Sequence, residues 1–365
     1  MSTLEHLARP PRLASDVSGW LDQAADGLDT GREPAAGVLP ALSRAGLAAI
    51  GVPRELGGAG GHLTDAVAAI ADVSERSLSA GFVLWGHRTY IEYLLQSPNA
   101  ALRNRLLPGL LAGTVAGATG LSNAMKHLEG LEELSFEARS EAGRRLVSGK
   151  LPWVTNLRGD DFHVAVAVAQ GDAPPFIASL WSQTPGVARS ADLDLIALRS
   201  TNTAAITVSN TELTPQDVIH PDARAWLPQV RPAFLGLQCG MSIGLARRAL
   251  AEARTASGAG RSVLAEPISD LSNALLHQER ALLDGLQLGV FETNAAALFR
   301  IRIALADLVS EAVGLELQAS GGRAYLSAPG QHFARRWRES AFIPVITPSI
   351  VQLKTALARH PAVQA

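Results

Sequence analysis

"DFHVAVAVAQGDAPPFIASLWS", residues 161–182, is the stretch that decides the predicted fold. It contains two short runs of alternating, β-branched residues, and a Gly-Asp pair followed by two prolines separates them. Such runs, bounded by turn residues, predict neighbouring β-strands. A third run of this kind, "NTAAITVSNTEL", follows at residues 202–213. The middle of the chain, residues 113–222, is therefore predicted to be a small β domain.

Helical patterns flank this region on both sides. Residues 1–112 are rich in Ala and Leu at helical spacing, with the Gly/Pro break "PRELGGAGG" at residues 53–61. Residues 223–365 contain runs long enough for several turns each, and Leu271, Leu275, Leu282 and Leu286 fall on one helical face. The pattern predicts an α+β multidomain fold, with an N-terminal helical domain, a middle sheet or barrel domain and a C-terminal helical bundle.

The composition excludes several classes of function. A formal net charge of −2 over 365 residues provides no basic surface for nucleic acid or anionic lipid. The single cysteine, Cys239, rules out an intramolecular disulfide framework and favours a reducing cytoplasm. We expect no signal peptide in "MSTLEHLARPPRLASD", no membrane span, and no metal site, because the histidines lack HxxxH or HExxH spacing.

A family resemblance begins at "GLAAIGVPRELGGAGG", residues 46–61. This turn resembles one in the N-terminal domain of the acyl-CoA dehydrogenase superfamily. Four further matches follow in family order: "SGKLPWVTN" (148–156), "ALRSTNTAAITV" (197–208), "GLARRALAEAR" (244–254) and "LQASGGRAYL" (317–326). The resemblance covers most of residues 35–359. It implies the family's fold, in which a four-helix bundle follows the β domain, and an FAD cofactor, or FMN if a reductase supplies the flavin.

The resemblance also implies cofactor contacts, residue by residue. Trp153 and Thr155 would lie against the flavin ring, and a Gly-rich turn at the end of a bundle helix would approach the adenosine end in a neighbouring subunit. Those two glycines also fit a helix C-cap. The segment "GATGLSNAMKHLEG" (117–130) departs from the family's Thr-Glu-Pro pattern but retains hydroxyl groups. The implied cofactor residues are Thr119, Ser122, Trp153, Thr155, Arg261, Gln318, Gly321, Gly322 and Ser349.

The catalytic base of the family is missing. Desaturation of an acyl thioester needs a carboxylate that removes the α-proton while hydride leaves to flavin N5. An alignment without a gap from Arg338-Glu339 places Thr347 at the position of that glutamate, followed by Pro348 and Ser349. The alternative position used by some relatives lies on the first bundle helix, yet residues 227–251 contain no Asp or Glu. Thr347 is therefore the candidate catalytic residue, with an unassigned role.

Three interpretations remain open. The first is an FAD-dependent dehydrogenase that acts on an acyl thioester, possibly of CoA, and passes electrons to an electron-transfer flavoprotein. The second is a monooxygenase of the same fold that uses a C4a-(hydro)peroxyflavin, with reduced flavin delivered by a flavin reductase. The third is a flavin-binding or assembly subunit without catalysis of its own. Apolar helix faces and a cofactor site completed in trans predict a homodimer or homotetramer.

Overall fold

A computed structural model describes residues 13–159, 161–258 and 260–359. Residues 1–12, which hold most of the segment examined for a signal peptide, lie outside the described residues, as do residues 360–365 at the end of the predicted bundle domain. Within the described part, helices come first, a β-sheet follows, and long helices complete the chain. The predicted α+β order is confirmed.

The first helices pack around one strongly buried member. Their bounds are α1 Ser15–Thr30, α2 Val38–Arg44, α3 Leu63–Arg76, α4 Leu78–Leu95 and α5 Ala100–Ala112. Ser77 caps α4 by accepting a hydrogen bond from the Ala80 amide. Almost every residue of α4 is buried, because it is enclosed by other helices and by the sheet. The polar side chains of α4 are therefore buried too and need partners within the protein.

The Gly-rich turn between α2 and α3 is attached to α4 by one arginine. The Arg88 guanidinium donates to the carbonyls of Ile50 (3.1 Å) and Gly51 (3.2 Å) and forms an ion pair with Glu92 at 2.9 Å. Gly51 has a φ of +74°, and a Cβ there would lie 2.6 Å from the His62 carbonyl oxygen. The conformation of this turn therefore requires a glycine at position 51.

In the described residues eight strands form one sheet. They are β1 Ala116–Thr119, β2 Phe136–Glu141, β3 Arg144–Val154, β4 Phe162–Gln170, β5 Ala173–Trp181, β6 Val187–Asp192, β7 Ala204–Glu212 and β8 Val218–His220. The main order is β6-β7-β3-β2-β4-β5-β8, and β1 pairs with β4 in parallel. Both faces of β4 are buried from Phe162 to Val168, and α6 packs against this strand.

A short helix, α6 Ser122–Leu128, follows β1 and was not predicted. The last part of the chain contains α7 Ala223–Ala256, α8 Ala265–Gln287, α9 Val290–Thr293, α10 Ala295–Ser320, α11 Gln331–Phe342 and α12 Ile350–Arg359. Leu271, Leu275 and Leu282 are buried on one face of α8, as their spacing predicts, and Leu286 is half-buried. Helix α7 also packs on α3, so the bundle and the N-terminal helices share one core.

Candidate functional site

The edge where α4 meets the sheet is held by hydrogen bonds between buried side chains. The Tyr93 hydroxyl lies 2.7 Å from Thr119 Oγ1, at the end of β1. His87 Nε2 donates to the Leu110 carbonyl (2.9 Å), and its Nδ1 accepts from the Gly117 amide (3.0 Å). Burial lowers the pKa of His87 to about 4, so the ring is neutral near pH 7. His87 therefore has a structural role.

The predicted flavin-ring residues lie at this same edge. The Trp153 side chain, near the end of β3, is 63% exposed although both Leu151 and Val154 beside it are buried. Thr155 is buried and donates its hydroxyl hydrogen bond to the Thr201 carbonyl at 3.2 Å. A Cβ on Gly86 of α4 would lie 3.0 Å from the Thr155 methyl carbon. Trp153 thus presents a large flat ring beside a buried, hydrogen-bonded framework.

Ser122, the first residue of α6, is half-buried. It leads from the end of β1 into α6, the helix that contributes Met125 and Lys126 to a cleft next to the bundle. The second predicted group lies on the bundle: Gly321 ends α10 with φ +60° and ψ −151°, a conformation that favours glycine. A Cβ at Gly321 would lie 3.0 Å from the Arg261 guanidinium, while Gln318 and Gly322 are exposed. The structure brings Arg261 and Gly321 together, and the C-cap role of Gly321 is also present.

Two buried side chains hold the backbone of the segment that carries Thr347. Arg302 is fully buried; its Nε donates to Gln238 Oε1 (2.8 Å) and its Nη2 to the Ile343 carbonyl (2.6 Å). Gln238 Nε2 in turn donates to the Thr347 carbonyl at 3.1 Å. Ser349 and Gln352 form a reciprocal cap at the start of α12, with the Ser349 amide 2.6 Å from Gln352 Oε1. Both ends of the Ile343–Thr347 segment are therefore fixed.

This region contains a buried cation and no matching carboxylate. Among the described residues, none with a carboxylate lies within ion-pair distance of Arg302, and its Nη1 has no hydrogen-bond partner. Burial lowers the pKa of Arg302. Within those same residues, buried carboxylates elsewhere have partners, such as Glu316 with Arg336 and Asp29 with Arg338. The buried charge near the Thr347 segment is thus positive, whereas the charge of a catalytic glutamate would be negative.

Aromatic rings fill the space between α4, α7 and the end of α11. Phe82 stacks on Trp85 with centroids 5.5 Å apart and meets Phe342 edge-on at 4.8 Å. Trp85 packs against Phe234 of α7 at 5.6 Å. Residues 227–251, where a substitute carboxylate would have to lie, contribute Phe234 to this cluster. The interior here is apolar.

A narrow cleft lies between α6, α7, α10 and the start of α12. Its walls include Met125, Phe299, Pro348 and Leu353, with Arg231 and Glu129 as its charged pair. Arg231 Nη1 lies 2.6 Å from Glu129 Oε1, and its guanidinium carbon is 5.4 Å from the centre of the Phe299 ring. Because Pro348 directly follows Thr347, this cleft is next to the predicted catalytic position.

Sequence reasoning missed Arg231, Gln238 and Arg302. Two signals were available: Gln238 interrupts the apolar run "LGLQCGMSIGL" (235–245), and Arg302 interrupts "LFRIRIAL" (298–305). A polar side chain within an apolar helix run needs a buried partner.

Among the described residues, no group of three or more His, Cys, Asp or Glu could hold a metal ion. None of the described helices is long and apolar enough to cross a membrane.

Fold and site together define a class of protein, in which helices, a sheet and a helical bundle enclose a cleft at their meeting point. Residues 20–114 match the family model of the acyl-CoA dehydrogenase N-terminal domain. This match, the curated relatives and the solved structures together support the acyl-CoA dehydrogenase superfamily. The predicted family and its fold are thereby confirmed.

The individual similarities are distant. Mitochondrial isovaleryl-CoA dehydrogenase of Pongo abelii is 23% identical over 186 residues, which cover 49% of this chain and 43% of that protein. The match thus spans less than half the length of this curated relative. A glutaryl-coenzyme A dehydrogenase complex with glutaryl-CoA is 15% identical with a TM-score of 0.81, covering 95% of this chain and 93% of the other. KijD3 in complex with FMN and a dTDP-amino-keto sugar is 19% identical with a TM-score of 0.80, covering 96% and 92%.

Proposed function

We propose that this protein is a flavin-dependent oxidoreductase and that the flavin ring covers the Trp153 indole. The exposed indole supports this proposal, because a large flat apolar ring beside a buried sheet edge offers a stacking surface. Thr119, Ser122 and Thr155 lie at or near the same edge and would supply hydroxyl groups. Arg261, Gln318, Gly321 and Gly322 would approach the adenosine end of FAD in a neighbouring subunit, and Ser349 lies close to the Thr347 turn.

We further propose that the reaction is an oxygenation rather than α,β-desaturation of an acyl thioester. The observation that carries this choice is the combination of Thr347 with the buried, unpaired Arg302 behind it. A carboxylate base is absent from both positions where the family places one. A buried guanidinium also stabilises nearby anions, and it would make any base beside it a weaker proton acceptor.

In such an oxygenation, bound reduced flavin supplies the electron pair that allows O2 to place one oxygen atom on the substrate, while the other leaves as water. A separate flavin reductase would deliver the reducing equivalents. The contribution of this chain is to exclude bulk water with Phe82, Trp85, Phe234 and Phe342, and to fix the Thr347 segment through Gln238. Thr347 then provides a hydroxyl-bearing wall next to the cleft.

Flavin binding is tested with Trp153→Ala, and Trp337→Ala serves as the matched control because Trp337 is also exposed but lies on α11. We expect Trp153→Ala to weaken FAD or FMN binding on the order of tenfold, since a stacked aromatic contact and its buried area are lost. Fluorescence titration of each flavin measures the effect. Equal affinity in the two variants would place the flavin elsewhere, and a protein that binds neither flavin would favour the non-catalytic interpretation.

The reaction type is tested by rapid mixing. Photoreduced enzyme mixed with O2 should give a transient flavin spectrum distinct from both oxidised and reduced flavin. If oxidised flavin returns in a single phase without such a transient, the oxygenase proposal fails.

A dehydrogenase is the second candidate, and the curated isovaleryl-CoA dehydrogenase relative is the observation that favours it. Such an enzyme would pass electrons to an electron-transfer flavoprotein. Anaerobic addition of isovaleryl-CoA and of straight-chain acyl-CoA thioesters would then bleach the flavin absorbance. We expect no bleaching at any chain length; rapid bleaching would replace the oxygenase proposal with this one.

A further inference from the structure

The charged pair in the cleft lies among walls that are mostly apolar, although Lys126 and Gln352 also line them. The side chains of Arg231 and Glu129 are only 16% and 17% exposed, and they come from α7 and from the loop after α6. Arg231 Nε is buried and, among the described residues, has no hydrogen-bond partner. Burial lowers the pKa of Arg231 although Glu129 opposes this. The guanidinium group therefore has an unused donor, its Nε–H.

Glu129 is held in place mainly by contacts of its backbone. Arg359 Nη1 donates to the Glu129 carbonyl at 3.0 Å and lies 3.5 Å from the Gly130 carbonyl. Asn123 binds the same loop by accepting from the Ser135 amide (2.8 Å) and donating to the Glu133 carbonyl (2.9 Å). The Glu129 side chain can consequently leave Arg231 by rotation, without unfolding the loop. The pair is a contact that can be exchanged.

The charges around the cleft balance, so an anionic ligand would be recognised by Arg231 itself. Three cations, Arg231, Lys126 and Arg359, and three carboxylates, Glu129, Glu132 and Glu133, lie around the cleft or on its bordering loop. Lys126 pairs with Glu132. If an incoming carboxylate displaced Glu129, it would find a guanidinium already positioned over Phe299, with apolar walls for its hydrocarbon part.

We infer that Arg231 binds the carboxylate of a small substrate with an apolar body. In the absence of substrate, the Glu129 carboxylate occupies the position on Arg231 that the substrate carboxylate takes. The substrate class is then a free carboxylic acid rather than a CoA thioester. The cleft as it stands has room for about one water molecule, so Glu129 must rotate out before a ligand carboxylate can reach Arg231. The inference rests on the proposed function, because it assigns a substrate class to the same site.

Calorimetric titration with hexanoate, hexanamide and hexanoyl-CoA tests the inference on the purified protein. We expect hexanoate to bind at least tenfold more tightly than hexanamide, because only the acid pairs with the guanidinium. Glu129→Gln should tighten hexanoate binding severalfold, because the neutral amide competes more weakly for Arg231 than the carboxylate does. Arg231→Gln should weaken it at least tenfold, whereas Arg231→Lys should retain part of the affinity.

Arg224→Gln is the matched control, since Arg224 is an exposed arginine on the same helix, and it should leave hexanoate binding unchanged. Equal binding of acid and amide, weaker binding in Glu129→Gln, or hexanoyl-CoA binding more tightly than hexanoate would each overturn the inference. Flavin affinity is titrated separately on the same samples. A protein that binds flavin but not hexanoate refutes only this inference, while one that binds hexanoate but no flavin refutes the proposed function.

Discussion

Two arginine side chains of this protein differ in how many hydrogen-bond and ion-pair partners they have. On α4, the Arg88 side chain has three partners, two backbone carbonyls and Glu92, and it is almost wholly buried. At the cleft, Arg231 has one carboxylate partner, Glu129, and both side chains retain some exposure. The first contact joins the Gly-rich turn to the protein core, and the second joins the α6 loop to the bundle.

The difference separates a rigid frame from an adaptable site. A fully partnered buried guanidinium resists rearrangement, because moving it would expose several unsatisfied groups at once. An ion pair that keeps some exposure and has a single contact contributes less to stability and exchanges partners at lower cost. The N-terminal turn therefore maintains the family fold, while substrate recognition can diverge at α6 and the Thr347 segment.

The largest expected effect comes from Arg88→Met. This change leaves the Glu92 carboxylate without its guanidinium and two turn carbonyls without a donor, so we expect the free energy of unfolding to fall by about 3–5 kcal/mol. Urea denaturation followed by circular dichroism measures it. Arg54→Gln, an exposed arginine in the same turn, should change the free energy by about 0.5 kcal/mol or less. Similar losses in both variants would contradict the role assigned to Arg88.

The next effect concerns the pH dependence of stability through His87. Its folded-state pKa of about 4 lies below the value of 6.5 for a free histidine, so the unfolded chain binds the extra proton in this window. The stabilisation is therefore complete above pH 6.5 and is lost as the pH falls toward 4. Between pH 7 and pH 5 we expect this residue to account for about 2 kcal/mol of lost unfolding free energy.

Urea denaturation at pH 7 and pH 5 checks this value by comparing the wild type with His87→Gln and with His277→Asn. The first variant should show a shallower pH dependence, whereas the second should match the wild type, since His277 is exposed on α8. An unchanged slope in His87→Gln would show that other groups cause the acid sensitivity.

The sequence allowed much of the fold to be predicted because its signals are local or ordered along the chain. Alternation marked strands such as β4 and β7, and leucine spacing marked the buried face of α8. The order of weak family motifs then selected the architecture. Helix α6 was missed because Ser122–Leu128 is short and follows a turn that departs from the family pattern.

The candidate site was less predictable because its contacts join distant parts of the chain. Gln238 meets Arg302 across 64 positions and the Thr347 carbonyl across 109 positions. Arg231 meets Glu129 across 102 positions. No local spacing encodes such pairs, and only the polar interruptions of apolar helices indicated them. The flavin contacts assigned to Trp153, Thr155 and the other cofactor residues stay predictions.

The smallest expected effect is the change in stability of Glu129→Gln. The amide oxygen of glutamine can still accept from Arg231 and the backbone contacts of the loop remain, so we expect a loss of about 1 kcal/mol or less. Urea denaturation measured alongside Arg88→Met gives the comparison under identical conditions. A loss of about 3 kcal/mol or more would show that the α6 loop is held as firmly as the N-terminal turn. The cleft would then be a fixed wall, and Glu129 could not yield its place on Arg231 to a substrate.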